Sequence, residues 1–226
     1  SSEEGFHTNL NYGLDLEGGS WLQIKLQGAV AQLDADAETL SRTVIQNGTS
    51  ETIEITQIDG DDGQFTVTFT STAEITNNQM DQLGIGDSTI TSSGNLTKVV
   101  LHTSESTLIT AYLSDSLEAE VVPLAVDGGV EYEIRTAVSQ EELEELMSDV
   151  GGVIVTGDDG TLIYKEGVRT ETRDLTKEIL NDKLNALGLK DIPVKTVGED
   201  YILIDFAGID LATAKDIAEK PGKFEI

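Results

Sequence analysis

The chain of 226 residues contains no cysteine, which removes disulfides, thiolate metal centres and cysteine nucleophiles at once. No stretch approaches the roughly 18 uninterrupted apolar residues of a bilayer-spanning helix, and no basic-then-apolar amino terminus suggests a signal peptide. The chain is therefore expected to be soluble as it stands. Histidine is scarce: His7 and His102 are the only two, and neither stands at a metal-ligand or triad spacing. No G-x-S-x-G, P-loop or G-x-G-x-x-G motif occurs, and GIGDST at 84–89 lacks the third glycine of the last. With no motif for acid-base or nucleophilic chemistry, neither an enzyme nor a cofactor is expected. Basic residues are also few, 14 Lys and Arg against 42 Asp and Glu. Nothing in such a chain neutralises a row of phosphates, so nucleic acid is excluded as a partner.

What is present is acid, a formal net charge of −28 on 24.2 kDa. The acids are interleaved with periodic apolar residues, as in Ile53-Glu54-Ile55 and Leu203-Ile204-Asp205. That distribution describes a folded protein with an acidic surface rather than a disordered acidic tail. Like charge of this density opposes the compact state unless salt screens it. A halophilic source is expected, with a moderately acidic mesophilic protein as the alternative.

The carboxyl-terminal third has the clearest periodicity. RDLTKEILNDKLNAL, 173–187, places Leu175, Ile179, Leu180, Leu184 and Leu187 on one helical stripe, with Gly188 as the stop. VKTV, the turn Gly198-Glu199-Asp200 and YILIDFAG then predict a hairpin, followed by a helix capped by Asp210, a Pro221-Gly222 turn and the strand KFEI. This α-β-β-α-β order is one strand short of a ferredoxin-like β-α-β-β-α-β sandwich. The missing strand is assigned to WLQIKLQ, 21–27, where Leu22, Ile24 and Leu26 alternate with polar residues behind Gly18 and Gly19. The expected architecture is thus α+β: a ferredoxin-like base from 10–28 and 169–226, split by an inserted α/β head at 29–168. Residues 1–9 are expected to be disordered or an expression remnant.

Within the head the spacing predicts helices near 34–46, 77–83, 106–115 and 139–148. It predicts strands from TIEITQI and QFTVTFT, near 97–103, 119–126 and 130–136, and a final hairpin GVIVTG-DDG-TLIYK. DGDDG at 59–63 invites a calcium reading, because an EF-hand loop alternates acids before a glycine and ends in a bidentate Glu. Asp59 and Asp61 fit as weak metal candidates, but Gln64 and Thr70 occupy the glycine and closing positions, and a hairpin turn is the simpler reading. Asn47-Gly48-Thr49 and Asn95-Leu96-Thr97 are glycosylation sequons. Asp15 and Glu17 share one face of an extended segment and lack the partners acid-base catalysis needs, so they read as positional. Trp21 is either an anchor for unfolded chains or, more simply, a core-strand residue.

GLDLEGG, 13–19, resembles the Gly-Leu-Asp-Leu-x-Gly-Gly signature of the SecD protein-export family, carried here by Gly13, Leu14, Asp15, Leu16, Gly18 and Gly19. The segment from Ile179 to Ile226 is similar to that family as well: ILNDKLNALGL, a hairpin turn with Gly198 and Asp200, YILIDFAGID, AKDIAEK and KFEI. The variable signature position, often basic in bacterial members, is Glu17. The resemblance implies the first extracytoplasmic domain of a membrane-embedded subunit, working with a SecF-like subunit and the Sec translocon on exported polypeptides. In this chain it implies a haloarchaeal source and hinged motion at crossings near 28 and 168. A secreted cation-binding or adhesive module is the alternative, with an extracellular hydrolase third.

Overall fold

The computed structural model describes residues 12–17, 21–61, 63–186, 188, 189 and 192–206. Residues 1–9, Gly18, Gly19, the helix expected after Asp210 and the strand KFEI lie outside them. The chain opens with β1 (Tyr12–Glu17), β2 (Trp21–Leu26), β3 (Ala29–Asp34), α1 (Ala37–Thr49), β4 (Glu54–Asp61) and β5 (Gln64–Ser71). It continues through α2 (Asn77–Leu83), β6 (Asp87–Ser93), β7 (Leu96–Ser104), α3 (Glu105–Leu117), β8 (Val121–Val126) and β9 (Gly129–Ile134). Last come α4 (Gln140–Asp149), β10 (Val153–Ile154), β11 (Tyr164–Glu166), α5 (Thr170–Ala186), β12 (Val194–Val197) and β13 (Tyr201–Asp205). The fold is mixed α and β, and every strand pair whose register is resolved is antiparallel. The chain divides into two compact units and passes between them after Val30, Glu133, Ala137 and Tyr164.

In the first unit one sheet runs β1-β2-β13-β12. β2 pairs with β13 as its antiparallel neighbour, Leu22 opposite Ile204 and Ile24 opposite Ile202, so the alternation in WLQIKL does complete the sheet begun by the YILID hairpin. Leu22, Ile24, Leu26, Val194, Ile202, Ile204 and Phe206 form a buried cluster with Val168 and Leu184. Burial stabilises each such side chain by about 1.5–3 kcal/mol. On α5 the buried residues are Thr176 and Leu184, with Leu180 packed partly against the cluster. Leu175, expected on that stripe, is 53% exposed: the apolar row turns with the 3.6-residue period and leaves it at the flank.

In the expected ferredoxin-like sheet a further strand would pair with β2 on the edge away from β13. Here β1 holds that edge, from Tyr12 opposite Leu26 to Glu17 opposite Trp21.

The second unit holds a four-stranded sheet, β4-β5-β7-β6, and the greater part of a five-stranded one, β10-β3-β9-β8 with β11 also on β3. α1 lies against α3, α2 and β4, and α3 against β7 and β8. Leu40, Ile45, Val67, Phe69, Val99, Leu101, Leu108, Ile109 and Leu113 are all buried. Its helices begin where the sequence supplies caps: the side chains of Asp36, Thr76, Ser104 and Ser139 each accept from a first-turn N–H. Such a cap contributes about 1 kcal/mol. GVIVTG and TLIYK fold back on each other as expected, through the antiparallel bridge between Thr156 and Leu162 and the bonds from the Gly157 N–H to the Thr161 carbonyl and from the Ile163 N–H to the Val155 carbonyl, both 2.8 Å, while β10 and β11 each pair with β3.

Candidate functional site

β1 positions the signature. Gly13, Leu14, Asp15 and Leu16 stand opposite Lys25, Ile24, Gln23 and Leu22, so the two leucines take the register positions of core residues and Asp15 that of a polar one. Trp21 is half-buried on β2, with the Lys195 ammonium 6.0 Å from its ring centre, a geometry in which the ring face attracts the cation.

The second unit carries a cleft of about 540 Å³ at one end of its four-stranded sheet. One row of side chains crosses all four strands there. Asp59 on β4 is opposite Thr66 on β5, Thr66 opposite His102 on β7, and His102 opposite Asp87 on β6. Thr66 Oγ1 and His102 Nδ1 are hydrogen-bonded at 2.8 Å, and Gln57 Nε2 donates to Asp59 Oδ2 at 2.7 Å. Asp59, Asp87 and His102 are exposed, so the row is a polar, acidic lip rather than a desolvated reaction centre.

Behind the lip Gly86 makes the close packing possible. Its φ is +135°, and a Cβ there would stand 2.0 Å from the His102 carbonyl oxygen. Only glycine tolerates that combination. The hydroxyl of Thr103 donates to the Ile85 carbonyl at 2.6 Å, tying the entry of β6 to β7.

β6 itself, DSTITSS, is absent from the expected elements. Ile90 is its one large apolar residue, so hydrophobic periodicity is nearly silent there. The usable signal is the turn: Gly94 and Asn95 alone separate β6 from β7, a two-residue hairpin signature, with Gly94 at φ +64°.

Asp59 and Asp61 lie at the end of β4, where the chain reverses into β5. Among the described residues no group of three or more His, Cys, Asp or Glu is placed to hold a metal ion. The similar GDDG at 157–160 closes on itself, because Asp159 Oδ1 accepts from the Thr161 N–H at 3.0 Å and from its hydroxyl at 2.6 Å. These bonds hold its carboxyl below the usual range. Asn47 is an exposed residue of α1, whereas Thr49 of its sequon is buried and donates to the Ile45 carbonyl. Asn95 is exposed in the β6–β7 turn.

One carboxyl is displaced in the other direction. Glu105, first residue of α3, is pushed above its ordinary 4.5 by burial and by neighbouring Asp34, although its Oε1 accepts from the Ala35 N–H at 3.0 Å. A carboxyl that holds its proton more tightly when folded stabilises the fold fully below its unfolded pKa. That contribution is lost as pH rises through the folded value. Glu105→Gln keeps the acceptor and removes the charge. It is expected to raise the thermal midpoint at pH 7 and leave it unchanged at pH 4; parallel melts at the two pH values check this.

No protein-family model matches the chain, and no solved structure matches it. It is 38% identical over 128 residues, 54% of its length, to the protein-export membrane protein SecD of Methanolacinia petrolearia, of which the match covers 24%. It is 28% identical over 90 residues, 40% of its length, to the SecD of Methanothermobacter thermautotrophicus, covering 21% of that protein. The chain is thus similar to a segment of the SecD protein-export membrane proteins of two methanogens, and spans about a quarter or less of the length of these curated relatives.

Proposed function

We propose that the chain is the extracytoplasmic domain of a SecD-like accessory subunit that assists export of polypeptides across the membrane. The observation that carries this reading is the 38% identity over 128 residues to a curated SecD. The domain works without catalysis, as part of a membrane-embedded protein paired with a SecF-like subunit and the Sec translocon, and faces saline medium outside the cell. No helix among the described residues is long and apolar enough to cross a membrane, which suits a segment lying between spans. Gly13, Leu14, Asp15 and Leu16 act by position: they pair with β2 along one edge of the base sheet.

The full-length membrane protein is tested with a photoreactive residue at Thr68, on the open face of the second unit's sheet, and with another at exposed Glu178 of α5. A secretory precursor stalled in transit should crosslink to at least one of these positions. Adducts that are absent from both, while the same precursor crosslinks to the translocon pore, would overturn the export reading.

A further inference from the structure

Strands at the edge of a sheet offer unpaired N–H and C=O groups, and proteins guard them with charge, proline, bulges or shortness. Most edges here are guarded. β4 carries Glu54, Asp59 and Asp61 and a register shift between Ile55 and Gln57. β8 contains Pro123, β10 is two residues long, and β12 is four residues long with Lys195 within it. β6 differs from all of these. It is seven residues long, pairs with β7 without a shift from Asp87 to Ser93, and has neither proline nor any charge after Asp87. Such a stretch is conspicuous in a chain with 25% charged residues. Thr89, Thr91, Ser92 and Ser93 are exposed along it.

We propose that the free edge of β6 takes up an extended segment of another polypeptide as a fifth strand of the four-stranded sheet, by β-augmentation. Main-chain hydrogen bonds supply the affinity in this mode, so the site accepts many sequences. Charge selects among them. Asp87 lines the cleft at the entrance of β6 and favours a segment with a basic residue at that end. A second copy of this chain is disfavoured, because it brings another −28 of like charge. The proposal deepens the export reading, on which it rests only for the origin of the strand, a chain in transit.

The test uses the whole chain in 1 M KCl and a peptide of about ten residues, alternating threonine and valine with two lysines at one end. Amide exchange at 88–93 should slow on adding the peptide, while exchange along β4 stays unchanged. The double variant Thr89→Lys with Thr91→Lys guards the edge at exposed positions and should weaken binding about tenfold or more, since like charges set side by side oppose association. Thr56→Lys on β4 should not, and both variants should melt like the parent. Slowed exchange on β4 instead of β6, or binding indifferent to the double variant, overturns the proposal. So does a self-associated species in sedimentation that the double variant abolishes, which would make the occupant a second copy. If the peptide binds β6 but the double variant in the full-length membrane protein exports precursors normally, the edge stands and the export reading of it falls.

Discussion

Raising KCl from 0.1 to 3 M is expected to lift the thermal midpoint of this chain by roughly 10 °C or more, a shift corresponding to several kcal/mol in a protein of this size. The sign follows from what salt screens. Three ion pairs are exposed on both sides, Lys25 with Glu166 at 3.1 Å, Lys165 with Glu199 at 2.5 Å, and Arg42 with Glu38, whereas Arg173, with Asp174 at 2.8 Å, is largely covered. Exposed pairs contribute about 0–1 kcal/mol each, so screening them loses little. Against that small loss stands the mutual repulsion behind a net charge of −28. The Debye length shrinks from about 10 Å at 0.1 M to about 3 Å at 1 M, which removes most of the long-range part. Salt also strengthens apolar burial, and pH separates the two effects. Near pH 4 many carboxyls are protonated, so a rise caused by screening should flatten there, whereas one caused by burial should persist. A midpoint indifferent to KCl at pH 7 would remove the halophilic reading and leave an ordinary acidic protein.

Where residues met partners close in sequence, or alternated against a single core, the sequence was sufficient. Leu22, Ile24 and Leu26 alternate because one face of β2 packs on a core and the other does not, and the same holds for Ile202 and Ile204 on β13. α1, α2, α3 and α4 begin at Asp, Thr or Ser because those side chains accept the first-turn N–H groups. β3 escaped for the opposite reason. Ala29, Val30 and Ala31 are all buried, and a strand covered on both faces shows no alternation. The segments around Val153 and Tyr164 pair with β3, more than a hundred residues upstream, and local pattern cannot reveal a partner at that separation. The site was legible only in part. Asp59 and His102 stand out singly in the sequence, but their common row with Thr66 and Asp87 exists through strand register across β6, a strand whose hydroxyl-rich composition resembles a loop.

Gly86→Ala is expected to cost about 3 kcal/mol or more and lower the melting of the second unit by roughly 10 °C. Two terms add. At φ +135° an L side chain is strained, and the new methyl would stand 2.0 Å from the His102 oxygen and 3.0 Å from its carbonyl carbon. Both are backbone atoms, so relief requires β7 to move away from the entry of β6, stretching the bond from Thr103 to the Ile85 carbonyl. Gly94→Ala provides the comparison. Gly94 also has positive φ, +64°, but no atom lies within 4 Å of its would-be Cβ, so only the left-handed cost of about 1–2 kcal/mol applies. Trp21, the single tryptophan, lies in the first unit, so its fluorescence is the wrong probe. Amide exchange along β6 and β7 reports the effect directly: with Gly86→Ala the protection of 87–93 should collapse, and with Gly94→Ala it should fall only near the turn. Equal, small effects from both would mean that β6 leaves the sheet freely. The regular edge proposed to receive a fifth strand would then not persist long enough to bind one.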